Sequence, residues 1–332
     1  MNSYRSAGVS LQGADRHVEA IAPLVTSTWG SLVEGSFGGF AAGIRIPSGY
    51  QDPILMMTTD GVGTKLELAR QTGRWDGVGY DLVAMVADDL AAAGARPLGL
   101  VDYMAVGALD SERDTRVIAS IAAACREGGM ALLGGETAEH PGAMRSDQID
   151  LAATALGVVE AGAELGPARV SEGDLVIGLA SPNLRSNGFS LVRQIVADRD
   201  LEQPFPGEAA SLGEVFLRPS VLYSPIVQAS LARCHAAVHV TGGGLVGNLP
   251  RVLPEGLGVE IDRRTWEVPS VFQVLAQWGQ VPAHELYSIF NMGIGFCLIV
   301  SPDEVDRVTS ATRGTVVGRV LAGNGVSFTS LP

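Results

Sequence analysis

Three segments of this chain gather side chains suited to phosphate and metal chemistry. The first is TTDGVGTKL (Thr58–Leu66), where an apolar run ends in an acid, two glycines, a threonine and a lysine. Gly61 and Gly63 permit close backbone approach, inward amides around Thr64 make an anion nest, Lys65 adds a point charge, and Asp60 offers oxygen to Mg2+. The glycine spacing is not that of a Walker A loop, and a plain glycine turn after a strand is the simpler alternative.

The second set is Asp81, Asp88 and Asp89 on an apolar helical stretch, with Asp102 inside the run LGLVDYMAV. Separations of seven and eight residues from Asp81 place the three near one helix face, where they can approach a metal together. A solvated helix face explains them equally well. Asp102, once buried, requires a partner. The third segment, GGETAEHPG (Gly134–Gly142), sets Glu136 and Glu139 at the end of an apolar strand; His140 has the chemistry of a base or ligand, although a lone histidine in a turn is more often structural or exposed.

In the second half, GGGLVG (Gly242–Gly247) formally matches a dinucleotide fingerprint after the strand AAVHV, and Asp262 lies twenty residues past Gly242. Pro250 and Pro254 follow at once and leave no uninterrupted crossover helix, which weakens that reading. Arg185, Ser186 and Asn187 in LRSNGFSLVR, and Asn291 in FNMGIGF, are polar groups beside glycines at the ends of apolar segments. Asn187 is equally suited to cap a helix.

The elements that must position these groups alternate in type. Strands are expected at Ile54–Thr58, Pro97–Val106, Met130–Leu133 and Leu151–Val159, with helices at Tyr80–Ala93 and Thr115–Glu127. The segment Ala161–Asp174 has linker composition, and a boundary near Gly166 divides the chain into units 1–166 and 167–332. Strands then recur at Leu175–Ala180, Ala236–Val240, Gly258–Ile261, Ile294–Val300 and Thr315–Leu321. The fold class is α/β (α+β) in two domains, consistent with 332 residues at 46% hydrophobic content.

A net charge of −13 without any basic block argues against a nucleic-acid partner, and an acidic chain handling phosphates needs Mg2+ and backbone amides as intermediaries. Cys125, Cys234 and Cys297 form neither a disulfide framework nor a zinc pattern, which suits a reducing cytoplasm. Met1–Ser10 lacks a signal pattern, and Asp88 and Asp89 interrupt the apolar stretch Leu82–Ala95, so neither secretion nor membrane insertion is expected.

Together the segments YRSAGV, FGGFA, TTDGVGTKL, DLVAMVADDL, GARPLGLVDYMAVG, GGETAEHPG, SNGFSLVR, VTGGGLVGNLPRVLP and FNMGIG resemble, in order, the aminoimidazole ribonucleotide synthetase (phosphoribosylformylglycinamidine cyclo-ligase) family across nearly the whole chain. The resemblance implies a homodimer whose N-terminal sheets join across the subunit interface, and an ATP site between the domains and that interface. It implies ATP-driven activation of a formyl oxygen on a phosphorylated small-molecule substrate, formylglycinamidine ribonucleotide, followed by imidazole ring closure. By position, Asp60–Lys65 look like the polyphosphate loop, Asp60, Asp89 and Glu136 like Mg2+ or phosphate-orienting acids, and Thr241–Gly244 (Thr241, Gly242, Gly243, Gly244) like a backbone cradle. Asp102, Ser186, Asn187 and Asn291 complete the expected nucleotide site, and Arg185 joins Asp60, Lys65 and Asp89 as a catalytic candidate.

The sequence departs from the family pattern on the substrate side. Arg185 stands where the family usually has histidine in HSNG, Ala22 where it has lysine, and Val221 where it has a basic residue. Two alternatives therefore stand beside the purine enzyme: a paralogue activating another amide, with Arg185 binding its carboxylate or phosphate, and a non-catalytic nucleotide-binding partner. The related thiamine phosphate kinases, selenophosphate synthetases and hydrogenase maturation proteins share the fold, but the later motifs favour the cyclo-ligase branch.

Overall fold

Alternating hydrophobicity in the first half produces a four-stranded sheet. A computed structural model describes residues 10–329; the segment YRSAGV at 4–9 lies outside the described residues. Helix α1 (Leu11–Thr26) is followed by a short antiparallel pair, β1 (Val33–Glu34) and β2 (Gly43–Ile44). Then come β3 (Pro53–Gly61), α2 (Lys65–Thr72), α3 (Val78–Ala92), β4 (Arg96–Val106), α4 (Ser111–Glu127), β5 (Ala131–Glu139) and β6 (Ile149–Glu160). The sheet order is β3-β6-β4-β5, antiparallel except for the β4–β5 pair.

One face of this sheet packs beneath α3 and α4, and the other carries exposed Leu55, Met57, Val101 and Tyr103. Helix α4 begins at Asp110, whose carboxylate accepts from the amides of Glu112 and Arg113 at 3.1 Å, a side-chain cap for two otherwise orphaned donors. Helix α3 is apolar nearly all round because it touches β3, β4 and β6 on one side and the second half on the other.

The second half builds a six-stranded sheet from β7 (Leu175–Ala180), β8 (Ala236–His239), β9 (Leu257–Ile261), β10 (Ile294–Val300), β11 (Thr315–Ala322) and β12 (Gly325–Phe328), in the order β12-β9-β11-β7-β10-β8. The two-residue period of β10 sends Cys297 and Ile299 to one core cluster and Phe296, Leu298 and Val300 to the other. Both faces are therefore covered, which is why IGFCLIV is an unbroken apolar run. The segment after Asn187 forms α5 (Phe189–Ile195).

The glycine motif in the second half ends in a five-residue turn of helix, Gly244–Asn248, and a 3-10 turn containing Pro250. Among the described residues strand β8 pairs with β10 alone and β9 with β11 and β12, so β8 and β9 form no βαβ crossover and the dinucleotide fingerprint is formal only. All three cysteines are buried and free. Among the described residues no helix is long and apolar enough to cross a membrane.

Candidate active site

The three helical acids do not converge. Asp81 and Asp88, seven residues apart, share the stripe of α3 that faces the second half, whereas Asp89 is rotated about 100° toward β3. Asp81 meets the Lys65 ammonium at 2.7 Å and accepts from the Ser220 amide and hydroxyl at 3.0 and 2.6 Å. Lys65 Nζ also donates to the carbonyls of Arg185 and Arg218, both at 2.9 Å. Burial pulls the lysine below and the aspartate above its ordinary pKa, with their mutual attraction opposing both shifts. Asp88 takes Arg185 Nη2 at 2.8 Å and the amides of Tyr223 and Ser224 at 2.9 and 2.8 Å. The Arg185 guanidinium lies 4.7 Å from the Tyr223 ring centre, wholly out of solvent.

The open chemistry lies at Asp60 and Asp89. His239, at the end of β8, holds Asp89 Oδ1 at 2.8 Å, and Thr58 donates to Asp89 Oδ2 at 3.3 Å. Burial acts to raise Asp89, but the hydrogen bonds from His239 and Thr58 and the nearby Arg251 together outweigh it, and its pKa falls below the ordinary value. Asp60 shifts upward through burial, opposed by the Gly61 amide at 2.7 Å and reinforced by the neighbouring Asp89. Among the described residues no three His, Cys, Asp or Glu side chains are grouped to hold a metal, so Asp60 and Asp89 stand as a pair.

Two polar turns from the second half meet near each other. A Cβ built on Gly242 would lie 3.6 Å from Asn187 Oδ1, which sets the SNG and GGG turns against one another. Ser186 Oγ and Asn187 Nδ2 are buried without a partner among the described residues, the pattern of donors reserved for a ligand. Asn248 Nδ2 braces the glycine turn through the carbonyls of Gly242 and Gly244 at 3.2 and 2.8 Å. Gly244 is obligatory, since φ is +58° and a Cβ would fall 2.2 Å from the Tyr287 carbonyl oxygen.

Asp102 and Glu136 belong to a different place. They line a cavity of about 580 Å³ beneath the glycine-rich segment 36–42, walled by Val18, Ile21 and Ile118. Among the described residues Asp102 has no charged partner, and burial pushes its pKa up to about 7. A Cβ on Gly135 would lie 2.1 Å from Asp102 Oδ1, so only glycine leaves room for this carboxylate. His17, lowered by burial, reaches Thr137 at 3.4 Å through Nε2 and leaves Nδ1 unpartnered among the described residues.

The comparisons with known proteins follow this geometry. Residues 39–159 match the family described as AIR synthase related protein, N-terminal domain, and residues 171–330 match its C-terminal domain. The chain belongs to the AIR synthase related family. Its relatives include phosphoribosylformylglycinamidine cyclo-ligases from Thermosynechococcus vestitus, 44% identical with 97% of both chains covered, and Oceanobacillus iheyensis, 39% identical with 98% of both covered. Among solved structures, thiamine-monophosphate kinase from Stenotrophomonas maltophilia superposes with a TM-score of 0.70 at 20% identity, covering 96% of each chain. A hydrogenase maturation protein in complex with ATP gives 0.65 at 19% identity, covering 92% of this chain and 83% of the other. These two likenesses establish the fold.

Within the AIR synthase related family frame, several expected roles change. Lys65 is no free phosphate ligand, because its ammonium is enclosed by Asp81 and two carbonyls. Arg185 is wholly buried and faces Asp88, so its guanidinium serves an ion pair between the two halves. Glu136 sits on β5, at the opposite edge of the sheet from β3, so it cannot share an ion with Asp60 inside one chain. The GGETAE segment is the body of β5 rather than its end.

Further differences are local. Asn291 is buried and clamps its own loop, donating to the Asn183 carbonyl at 3.0 Å and accepting from the Gly293 amide at 2.8 Å. Asn187 does not cap α5, whose N-cap is Gly188. Val221 packs against the second-half core and Ala22 lies half-buried on α1. His239 escaped the sequence reading; its only signal was one polar side chain interrupting AAVHV before the glycines.

Proposed function

We propose that this chain is a Mg2+- and ATP-dependent cyclo-ligase that converts formylglycinamidine ribonucleotide to aminoimidazole ribonucleotide in purine synthesis, acting as a homodimer in the cytoplasm. The observation that carries this reading is end-to-end likeness to cyclo-ligases, 39–44% identical over 97–98% of the chain. The site geometry is in keeping with it. Units 1–166 and 167–332 are assigned as the nucleotide-binding and dimerisation domain and its α/β companion.

An amide oxygen leaves poorly, whereas an oxygen carrying phosphate leaves readily. In the proposed reaction the formyl oxygen takes the terminal phosphoryl group of ATP as the bond to ADP breaks. The amidine-side nitrogen then bonds to the former formyl carbon, and phosphate departs with that oxygen. Asp60 and Asp89 fit Mg2+, which commonly takes one or two protein carboxylates and fills its shell with water and phosphate oxygens. The ion, when bound, neutralises charge on the transferring phosphoryl group.

The chain's own residues orient the reactants. His239 and Thr58 fix the Asp89 carboxylate, the backbone amides of the Gly63–Thr64 and Gly242–Gly243 turns lie toward the proposed phosphates, and Ser186 and Asn187 offer unpartnered donors. The cavity beneath segment 36–42, with apolar walls and Asp102 and Glu136 at its polar end, suits the base and ribose of the nucleotide. The exposed apolar face of the first sheet, with Leu55 at 50% and Met57 at 71% exposure, supports the homodimer.

The deciding experiment follows phosphate release and aminoimidazole ribonucleotide formation by purified protein with Mg2+, ATP and formylglycinamidine ribonucleotide, beside Asp60→Asn. Product that disappears in the variant supports the reading. ATP binding without turnover on this substrate overturns it. A second reading, the same activation applied to a different amide, is favoured by the uncharged Ala22 and Val221, and phosphate release on that other amide alone would support it.

A further inference from the structure

A second cavity, of about 640 Å³, opens beside the Gly63–Thr64 turn and is lined from both halves of the chain. Arg70 and Arg145 come from the first half and Arg193 from α5 in the second. Against them stand the lining carboxylates Glu67 and Asp150, and Asp147 beside Arg70 and Arg145, so the charges balance as a group while Arg193 keeps no counter-ion of its own among the described residues. Three guanidinium groups lining one cavity, one of them without a counter-ion, favour an anion.

The three guanidinium groups differ in availability. Arg70 is held by Glu67 at 2.6 Å and by Asp147. Arg145 approaches Glu67 and Asp147 only at 3.5 and 3.6 Å and remains 61% exposed, an arrangement that solvent screens heavily. Arg193 makes no ion pair or side-chain hydrogen bond among the described residues. It lies three positions after Ser190, whose hydroxyl is 3.3 Å from that of Thr64, so both project from the side of α5 that meets the turn. The Tyr103 hydroxyl and His140 Nε2, 3.1 Å apart, complete a wall able to bind sugar hydroxyls.

We infer that this cavity takes the phosphate monoester end of the ribonucleotide substrate, with Arg193 as the cation that fixes it and Arg145 converging from the other domain. The assignment rests on the ribonucleotide reading above. A phosphate dianion presents three oxygens and can bridge two guanidinium groups on separate elements. Closing on it would draw α5 toward the Gly63–Thr64 turn and set the reacting end of the substrate beside the Asp60 site. It also supplies the substrate-side positive charge that Ala22 and Val221 do not.

The test uses the full chain and Arg193→Ala and Arg193→Lys, with two readouts. In turnover, Arg193→Ala should raise the KM for formylglycinamidine ribonucleotide about tenfold or more, with KM for ATP unchanged and Arg193→Lys intermediate. In calorimetry without ATP, ribose 5-phosphate should bind the wild type and lose about tenfold in affinity in Arg193→Ala. Wild type without turnover, but with ribose 5-phosphate binding lost in the variant, keeps the cavity assignment while the purine reading falls. Turnover with both KM values unchanged, a rise confined to ATP, or ribose 5-phosphate binding that is absent or indifferent to the variant overturns the cavity assignment.

Discussion

Arg185 and Asp88 meet at 2.8 Å with both side chains wholly buried, and this pair joins the LRSNG turn of the second half to the central helix of the first. Asp88 also accepts two amides from the second half, so the carboxylate is satisfied by one cation and two backbone donors. Arg185 holds φ at +59°, a left-handed conformation kept in place by these contacts.

Removing either partner strands the other in the interior. Arg185→Ala should destabilise the protein by about 3–5 kcal/mol, while Arg185→Met with Asp88→Leu should recover most of the loss. Urea unfolding of Arg185→Met, Asp88→Leu and their double variant gives the coupling energy. A single variant as stable as wild type would contradict the structural role.

Lys65 leads to a similar expectation with a different readout. Because its ammonium is enclosed by Asp81 and two carbonyls, Lys65→Met should lower thermal stability markedly. ATP affinity of the folded fraction should change by less than about threefold. A large selective loss of ATP affinity at unchanged melting temperature would restore Lys65 as a phosphate ligand.

His239 orients Asp89 from the other domain. His239→Ala should weaken Mg2+ dependence or activity by roughly 10–100-fold, the usual effect of removing an outer partner of a ligating carboxylate. His239→Asn, which keeps a side-chain donor, should retain more. Magnesium titrations of activity distinguish this from a general folding defect, which would not shift the Mg2+ midpoint.

Asp102 makes stability depend on pH. Its folded pKa, pushed up to about 7 by burial, exceeds its unfolded value, so the folded state holds more protons between about pH 4 and pH 7. The contribution is fully present below about pH 4 and is lost as pH rises through 7. Asp102→Asn should therefore be more stable than wild type at pH 8, by up to about 4 kcal/mol, with the advantage fading toward pH 4. Melting curves across that range check the sign.

The apolar outer face of the first sheet should mediate self-association. Met57→Lys with Val101→Glu places charges on side chains 71% and 44% exposed in the single chain. Sedimentation should show a dimer for wild type and a monomer for the variant. An unchanged dimer would move the interface elsewhere.

Much of the fold was legible in the residues. The expected strand Pro97–Val106 starts one residue after the observed start at Arg96, and the expected range Ile294–Val300 coincides with β10, because runs of that length and apolarity have few other places to go. The expected strand stops at Leu133 because GGETAE carries glycines and acids that normally mark a strand end, whereas β5 does not. Parallel pairing with β4 carries it on to Glu139. Asp60 and Asp89 were marked by residue type beside glycines and on an apolar helix, and the structure leaves these two acids near one another and partly open.

The sequence by itself determined the alternation of elements, the two halves, the acidic excess and the motifs that resemble one family. Only the tertiary structure decided which charged groups face ligands and which face each other. Lys65, Asp81, Asp88 and Arg185 have the composition of an active site, but α3 is covered on both sides, and a charge enclosed there must find its counter-charge in the protein. The sheet order likewise separated Glu136 from Asp60, since spacing along the chain carries no information about distance across strands.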